Sequence, residues 1–348
     1  TPDRYADIDA TGTEKMRRVL QAINQDARQH PVDYFHLNDE RAAHLKAQIE
    51  GTPPEKQMRL RYSYAYELLY AGDTKAAIQE LVSLINDAGP QAGRISQQTK
   101  PVYDLLGIAY MRLGEQQNCI DNHAAQSCIL PITGSGIHTD EAGSRQAIEV
   151  YQRMLRRFRT DLQARWLLNV AYMTLDAYPD DVPGRWRIDG IQADPSSPIS
   201  TFPNVAMDVG VAHNAIAGGV NIEDFNNDGF LDIFATSYGM DDPVKLFMND
   251  GAGGFVDRTE EVGLTGILSG LNTAHADYNN DGYEDILILR GAWLGQAGEH
   301  PNSLLRNNGD GTFTDVTYEA GLAAYHPTQV GAWGDFNGDG WIDLFIGN

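Results

Sequence analysis

A nine-residue stretch rich in aspartate recurs three times: Asp224 to Asp232 reads DFNNDGFLD, Asp277 to Asp285 reads DYNNDGYED, and Asp335 to Asp343 reads DFNGDGWID. All three conform to D-x-N-x-D-G-x-x-D. Side-chain oxygens at positions 1, 3, 5 and 9, a backbone carbonyl at 7 and a glycine at 6 for a sharp turn suit a hard cation that takes about six to eight oxygens. The chemistry implied is ligation of Ca²⁺ at three sites. The expected ligands are Asp224, Asn226, Asp228, the Phe230 carbonyl and Asp232 in the first loop. They are Asp277, Asn279, Asp281, the Tyr283 carbonyl and Asp285 in the second, and Asp335, Asn337, Asp339, the Trp341 carbonyl and Asp343 in the third. Each loop runs directly into an apolar stretch (Ile233-Phe234-Ala235, Ile286-Leu287-Ile288, Leu344-Phe345-Ile346), so the loops belong to β-hairpins and not to a helix-flanked calcium motif. An acidic Asx-type turn is the metal-free explanation of one copy; three copies in register favour the cation.

The elements that must hold these loops are short strands. Loop starts at 224, 277 and 335 give spacings of 53 and 58 residues. The first unit reads as strands 219–223, 233–237, 244–248 and 255–258, the second as 273–276, 286–289, 303–306 and 313–316, and the third as 331–334 and 344–346. Four short antiparallel strands at this period make a β-propeller blade. The turns repeat as well: Asn249-Asp-Gly aligns with Asn307-Asn-Gly, and Glu261-Val-Gly-Leu264 with Glu319-Ala-Gly-Leu322. The loop aromatics Phe225, Phe230, Tyr278, Tyr283, Phe336 and Trp341 are expected to pack between blades. Two and a half blades do not close a ring of about four to eight. The expectation is therefore that the polypeptide continues past Asn348, or that other chains complete the sheet as an oligomer or filament.

Charge separates this half from the rest. The chain has 348 residues with 48 acidic and 26 basic side chains; residues 200–348 hold 22 of the acidic and 4 of the basic ones, which is −18 of the total −22. Nine of those carboxylates are loop aspartates, and three Ca²⁺ ions would take −18 to −12. Such a surface excludes nucleic acid as a partner of this half. No apolar run approaches the roughly 20 residues of a membrane span.

Residues 1–178 read as helical, with apolar side chains at three- and four-residue spacing; Glu14–Gln29 and Leu37–Ile49 are amphipathic helices. From Arg61 the pattern becomes periodic. Tyr64, Ala65, Leu68 and Gly72 lead into Ala77, Ile78, Leu81 and Leu84; Leu106, Gly107, Tyr110 and Gly114 repeat the first half, and Ala147, Ile148, Tyr151 and Met154 the second. Leu168, Tyr172 and Asp176 begin a third copy. These positions resemble tetratricopeptide repeats, with generic helical hairpins as the alternative. An insert at 115–145 interrupts the second repeat. Within it Cys119 and Cys128 are expected to form a disulfide, the alternatives being Zn²⁺ or copper held with His123 and His138, or two reduced structural thiols. Met154, Leu155 and Phe158 are expected to face inward from the arginine-rich run 153–159. Residues 179–203, with Pro179, Pro183, Pro195, Pro198 and Pro203, read as an extended linker, and 204–348 as the blade domain.

Here the resemblance becomes specific. The three loops are similar to the calcium loops of FG-GAP/VCBS propellers such as those of integrin α-chains. NSLLRNNGDGTFTDVTYEAGL, the upstream helices and the stretch NCIDNHAAQSCILPI together resemble bacterial relatives of the cartilage acidic protein family. The resemblance implies a tetratricopeptide-like helical domain followed by a propeller that is incomplete in this sequence. It further implies a secreted, extracellular or cell-surface location, with the periplasm as an alternative, and recognition or matrix roles without catalysis. Expected partners are proteins or glycans that meet the helical repeats and the propeller face. The alternative functions are an extracellular enzyme with its site on the propeller face, and a metal-handling or redox protein built on the Cys/His insert. No Ser/His/Asp or Cys/His arrangement at a recognisable spacing supports the first. His213, His275 and His326 precede the three loops at similar places and are read as surface histidines, with a shared site as the alternative.

Overall fold

The structure is a computed structural model that describes residues 5–87, 94–120, 129–191 and 202–348. Its residues divide into two compact units, one made of Thr1–His36 with Val205–Asn348, the other of Leu37–Asn204.

The second unit is a succession of helices: α2 (Asn38–Glu50), α3 (Met58–Tyr70), α4 (Thr74–Asp87), α5 (Lys100–Asn118), α6 (Ala142–Arg157) and α7 (Leu162–Met173). Each packs on the next in chain order. The predicted small and large positions meet in one core, in which Ala65, Ala77, Leu81, Ala109, Ala147, Met154 and Leu168 are fully buried. Glycine allows the closest approach. A Cβ on Gly143 would stand 2.5 Å from the Gly114 nitrogen and 2.7 Å from the Tyr110 carbonyl oxygen, so α5 and α6 touch backbone to backbone. Gly72 and Asp176 turn the chain with φ of 91° and 55°. Gly114, expected to turn it likewise, lies inside α5, which runs one turn further. The region between α5 and α6 therefore spans 119–141, shorter than the predicted 115–145, because α6 already begins at Ala142. In the arginine-rich run Met154 and Leu155 are buried, as expected.

The predicted linker is not extended over its first ten residues. Trp186 is 4% exposed and packs in the helical core, its carbonyl accepting from Arg165 Nε and Asn169 Nδ2, both at 3.0 Å. Burial of this large aromatic ring draws the stretch onto the helices.

The first unit holds the strands. β1 (Val220–Glu223), β2 (Asp232–Ala235), β3 (Lys245–Asn249) and β4 (Phe255–Asp257) form one antiparallel sheet. β5 (Asn272–Ala276), β6 (Asp285–Leu289), β7 (Ser303–Asn307) and β8 (Phe313–Asp315) form a second, and β9 (Val330–Gly334) pairs with β10 (Asp343–Gly347). Every predicted strand is present, with boundaries shifted by no more than a few residues. The three sheets do not close a ring. A core shared by the first two sheets joins Phe234, Leu246 and Leu264 to Ile286, Ile288, Leu305 and Phe313. Phe225 meets Phe313 edge-on at 6.2 Å between the first two sheets. Phe230, Phe336 and Trp341, expected at such contacts, are instead about half exposed or more.

The helix α1 (Gly12–Gln29) belongs to this unit, where its periodicity alone had grouped it with the helical repeats of 1–178. Met16 and Leu20 lie in the strand core at 0% and 3% exposure, each worth roughly 1.5–3 kcal/mol of burial. Around them Arg17 Nη2 donates to the Gly263 carbonyl at 2.9 Å, Thr13 Oγ1 accepts from the Asp315 N–H at 2.9 Å, and Arg28 pairs with Asp241. The apolar stripe of α1 specified a buried face, and the acidic strand domain supplied the partner for its basic flank.

The two complete sheets solve one charge problem differently. In the first, Lys245 pairs with Asp257 at 2.7 Å near the surface. In the second, Ser303 replaces the lysine, and the fully buried Arg290 donates to Ser303 Oγ at 2.8 Å and the Pro301 carbonyl at 3.0 Å, with Asp315 nearby. Burial pulls the Arg290 guanidinium down to about 10, partly offset by Asp315.

Candidate metal centre

Each acidic loop closes around its own backbone N–H groups. In the first loop Asp224 accepts the Asp228 N–H on Oδ1 at 3.0 Å and the Gly229 N–H on Oδ2 at 2.8 Å. Asn226 Oδ1 accepts the same Asp228 N–H at 3.0 Å, and Asp228 Oδ1 accepts the Phe230 N–H at 2.9 Å. Because one N–H is shared between Asp224 and Asn226, their oxygens stand side by side. The second loop repeats this set with Asp277, Asn279 and Asp281 at 2.8–3.1 Å. The third does so with Asp335, Asn337 and Asp339 at 2.8–3.1 Å. Gly229, Gly282 and Gly340, with φ of 90°, 89° and 90°, permit the turn at position 6.

Position 9 has a further task. Asp232 is fully buried, with Oδ2 accepting the Phe225 N–H at 3.1 Å and Oδ1 the Asn249 N–H at 2.8 Å. Asp285 does the same with Tyr278 at 3.3 Å and Asn307 at 2.7 Å, and Asp343 accepts from Phe336 at 2.9 Å. Asp232 and Asp285 thereby tie the loop to the next strand of the sheet, β3 or β7, and Asp343 holds its loop onto β10. Burial pushes Asp232 above the ordinary carboxylate range and Asp285 up to about 7, against the pull of the backbone donors and with the help of the nearby loop aspartates. Asp335 goes the other way, held low by N–H groups of Gly340, Gly338 and Asp339.

The donor set fits a hard cation. Positions 1, 3 and 5 of each loop each offer a side-chain oxygen, and among the described residues no salt bridge neutralises Asp224, Asp228, Asp277, Asp281, Asp335 or Asp339. No three His, Cys, Asp or Glu side chains form a ready-made cluster among the described residues. Asparagine holds position 3 in every loop, and the position 9 carboxylate is already engaged by backbone. Asn226 Nδ2, Asn279 Nδ2 and Asn337 Nδ2 donate to the position 5 carboxylate at 2.9, 2.8 and 3.0 Å.

The remaining candidates stay apart. His275 Nδ1 lies 3.0 Å from Glu284 and 3.9 Å from Glu223, and it forms no shared site with His213 and His326. In the helical unit Cys119 caps α5, with its Sγ 4.0 Å from His138 Nε2. The buried His138 meets Ser144 Oγ through Nδ1 at 3.0 Å, and burial lowers its proton affinity. Cys128 and His123 lie outside the described residues, and with them the predicted disulfide and its metal alternative. The helical unit also carries a groove of about 640 Å³ lined by Tyr70, Met111, Arg112, Leu130 and Trp166. No described helix is long and apolar enough to cross a membrane.

Residues missed in the sequence are Asn227, Asn280 and Asn307. Their signal was present: asparagine at position 4 in two loops where the third has Gly338 marks a left-handed backbone, and Asn249 and Asn307 recur before the same turn.

Comparison with known proteins agrees with the repeat. Residues 224–288 and 289–346 match the family model described as FG-GAP-like repeat, so the chain carries FG-GAP-like repeats. It is similar to Cartilage acidic protein 1 of Xenopus tropicalis, with 28% identity over 166 residues, 47% of this chain and 24% of that protein. The Mus musculus protein of the same name is 28% identical over 182 residues, 51% of this chain and 27% of its own length. The chain thus spans about a quarter of the length of the curated relatives it matches.

Proposed function

From FG-GAP-like repeats built around oxygen-lined loops, we propose that this chain is a calcium-binding adhesion or recognition protein of the extracellular space or cell surface, binding partners and not catalysing a reaction. The observation that carries this is the threefold recurrence of one geometry, in which carboxylate, amide and carboxylate oxygens at positions 1, 3 and 5 are set by the same backbone donors in every loop. Bound Ca²⁺ supplies the positive charge these loops lack. The side chains of Asp224, Asn226 and Asp228, the Phe230 carbonyl and Asp232, and their counterparts in the other loops, hold the ion, and Asp232, Asp285 and Asp343 also fix each loop to its sheet. The sheets and the tetratricopeptide-like helices then present surfaces to protein or glycan partners. A Cys119–Cys128 disulfide suits the same compartment.

Calorimetric titration with Ca²⁺ tests the reading. Three ions per chain are expected, in the range of roughly 10⁻⁴–10⁻³ M typical of extracellular modules. Asp228→Ala should leave two. An unchanged stoichiometry in that variant, or no binding by the natural chain, would overturn the assignment.

A further inference from the structure

The three loops are joined to one another. Asn227, at position 4 of the first loop, donates from Nδ2 to the Gly282 carbonyl, at position 6 of the second, at 2.9 Å. Asn280, at position 4 of the second loop, donates to the Gly340 carbonyl, at position 6 of the third, at 3.3 Å. Both asparagines sit in the left-handed region at φ 58° and 57°, a conformation that asparagine tolerates and that aims the short amide outward. The third loop has Gly338 at this place, φ 76°, and so has no amide to pass on.

A second, buried route joins the first two loops. Asn307 is 1% exposed and donates from Nδ2 to the Phe225 carbonyl, at position 2 of the first loop, at 2.7 Å. Its own N–H goes to Asp285 Oδ1, at position 9 of the second loop, at 2.7 Å. The equivalent Asn249 keeps its amide within its own sheet, on the Leu231 carbonyl at 3.1 Å. Among the described residues the first and second loops therefore share two bridges, the second and third one.

We propose that the loops bind calcium cooperatively along the chain of sheets, each loop's order being set in part by the loop after it, through Asn227, Asn280 and Asn307. This rests on the calcium reading above. The acceptor in each bridge is the carbonyl of the position 6 glycine, which shares its rigid peptide plane with the position 7 N–H, and that N–H is held by the position 5 carboxylate: Tyr283 by Asp281 and Trp341 by Asp339, at 3.0 and 2.9 Å. Drawing that carboxylate onto a cation fixes the peptide plane and with it the acceptor offered to the preceding loop. The coupling is reciprocal, since a bridge that favours the ordered form of one loop favours the ordered form of the other by the same factor.

The test is a double-mutant cycle on the full chain, titrated with Ca²⁺ alone and read by hydrogen exchange in peptides covering each loop. Asp281→Ala disables the second loop at an exposed position. Asn227→Gly removes one bridge while keeping the left-handed backbone, as Gly338 does naturally. Asp281→Ala should raise the Ca²⁺ concentration that half-protects the first loop by about tenfold. In the Asn227→Gly background that shift should fall to about threefold or less, the loss of one hydrogen bond. Asp339→Ala should act on the second loop by a smaller factor than Asp281→Ala acts on the first. Equal shifts with and without Asn227, or a first loop indifferent to Asp281→Ala, would overturn the coupling while leaving the calcium reading intact. Absence of Ca²⁺-induced protection at every loop would overturn both.

Discussion

The helical and strand units handle negative charge in opposite ways. In the helical unit the less exposed carboxylates have cationic partners on neighbouring helices: Glu67 with Arg41 at 2.8 Å, Glu80 with Arg61, and Asp161 with Lys100 at 2.8 Å. In the strand unit the loop carboxylates are gathered by backbone N–H groups, and none of those at positions 1 and 5 has a cationic side chain among the described residues. The difference teaches where each unit's stability comes from. One unit balances its charges within its own sequence; under the proposed calcium reading the other takes its balance from solution, and folding and ion binding are then linked.

The largest effect that sharpens this contrast falls on α1. Met16→Ala, at a fully buried position in the strand core, should cost about 2–5 kcal/mol. The loss should appear as faster hydrogen exchange in 220–347, with α3 to α7 unaffected. Exchange that rises in α3 to α7 instead would return α1 to the helical unit.

A smaller effect tests the internal balance of the helical unit. Asp161 caps α7 through the Ala164 N–H at 3.0 Å and pairs with Lys100. Burial alone would raise its carboxyl, but the Ala164 N–H and Lys100 outweigh it and hold it below the ordinary range. A depressed carboxylate contributes stability above its unfolded value of about 4 and loses it as the pH falls through the folded value. Asp161→Asn keeps a capping oxygen and removes the charge. It should cost about 1–2 kcal/mol at pH 7 in chemical denaturation, with the gap from the natural chain closing below about pH 4. A gap independent of pH would assign the effect to the cap and not to the ion pair.

How much of this was legible follows from the range of each interaction. The loops, strands and turns are local, so their residues carry their own signal, and β2, β6 and β10 begin on the last aspartate of each loop. The helical core was readable from Ala65, Ala77 and Ala147 because small residues at fixed spacing are themselves the contact. The partner of an amphipathic face was not: Met16 and Leu20 announce burial but not against what. Nor was the fate of Trp186, since a proline-rich setting suggests an extended chain until a ring finds a core. At the candidate site, positions 1, 3 and 5 were predicted and are brought together. The backbone role of Asp232 and Asp285 was hidden because its partners, Asn249 and Asn307, are 17 and 22 residues away.

The central claim, that the strand unit depends on a cation and the helical unit does not, is tested most directly by hydrogen exchange of the natural chain with Ca²⁺ and after its chelation. Protection in 224–232, 277–285 and 335–343, and in the strands they join, should fall by about the factor that saturating ligand contributes, roughly a hundredfold for each site filled at 100 times its Kd. Protection in α3 to α7 should stay unchanged. Equal protection of the strand unit with and without Ca²⁺, or a parallel loss in the helices, would contradict it.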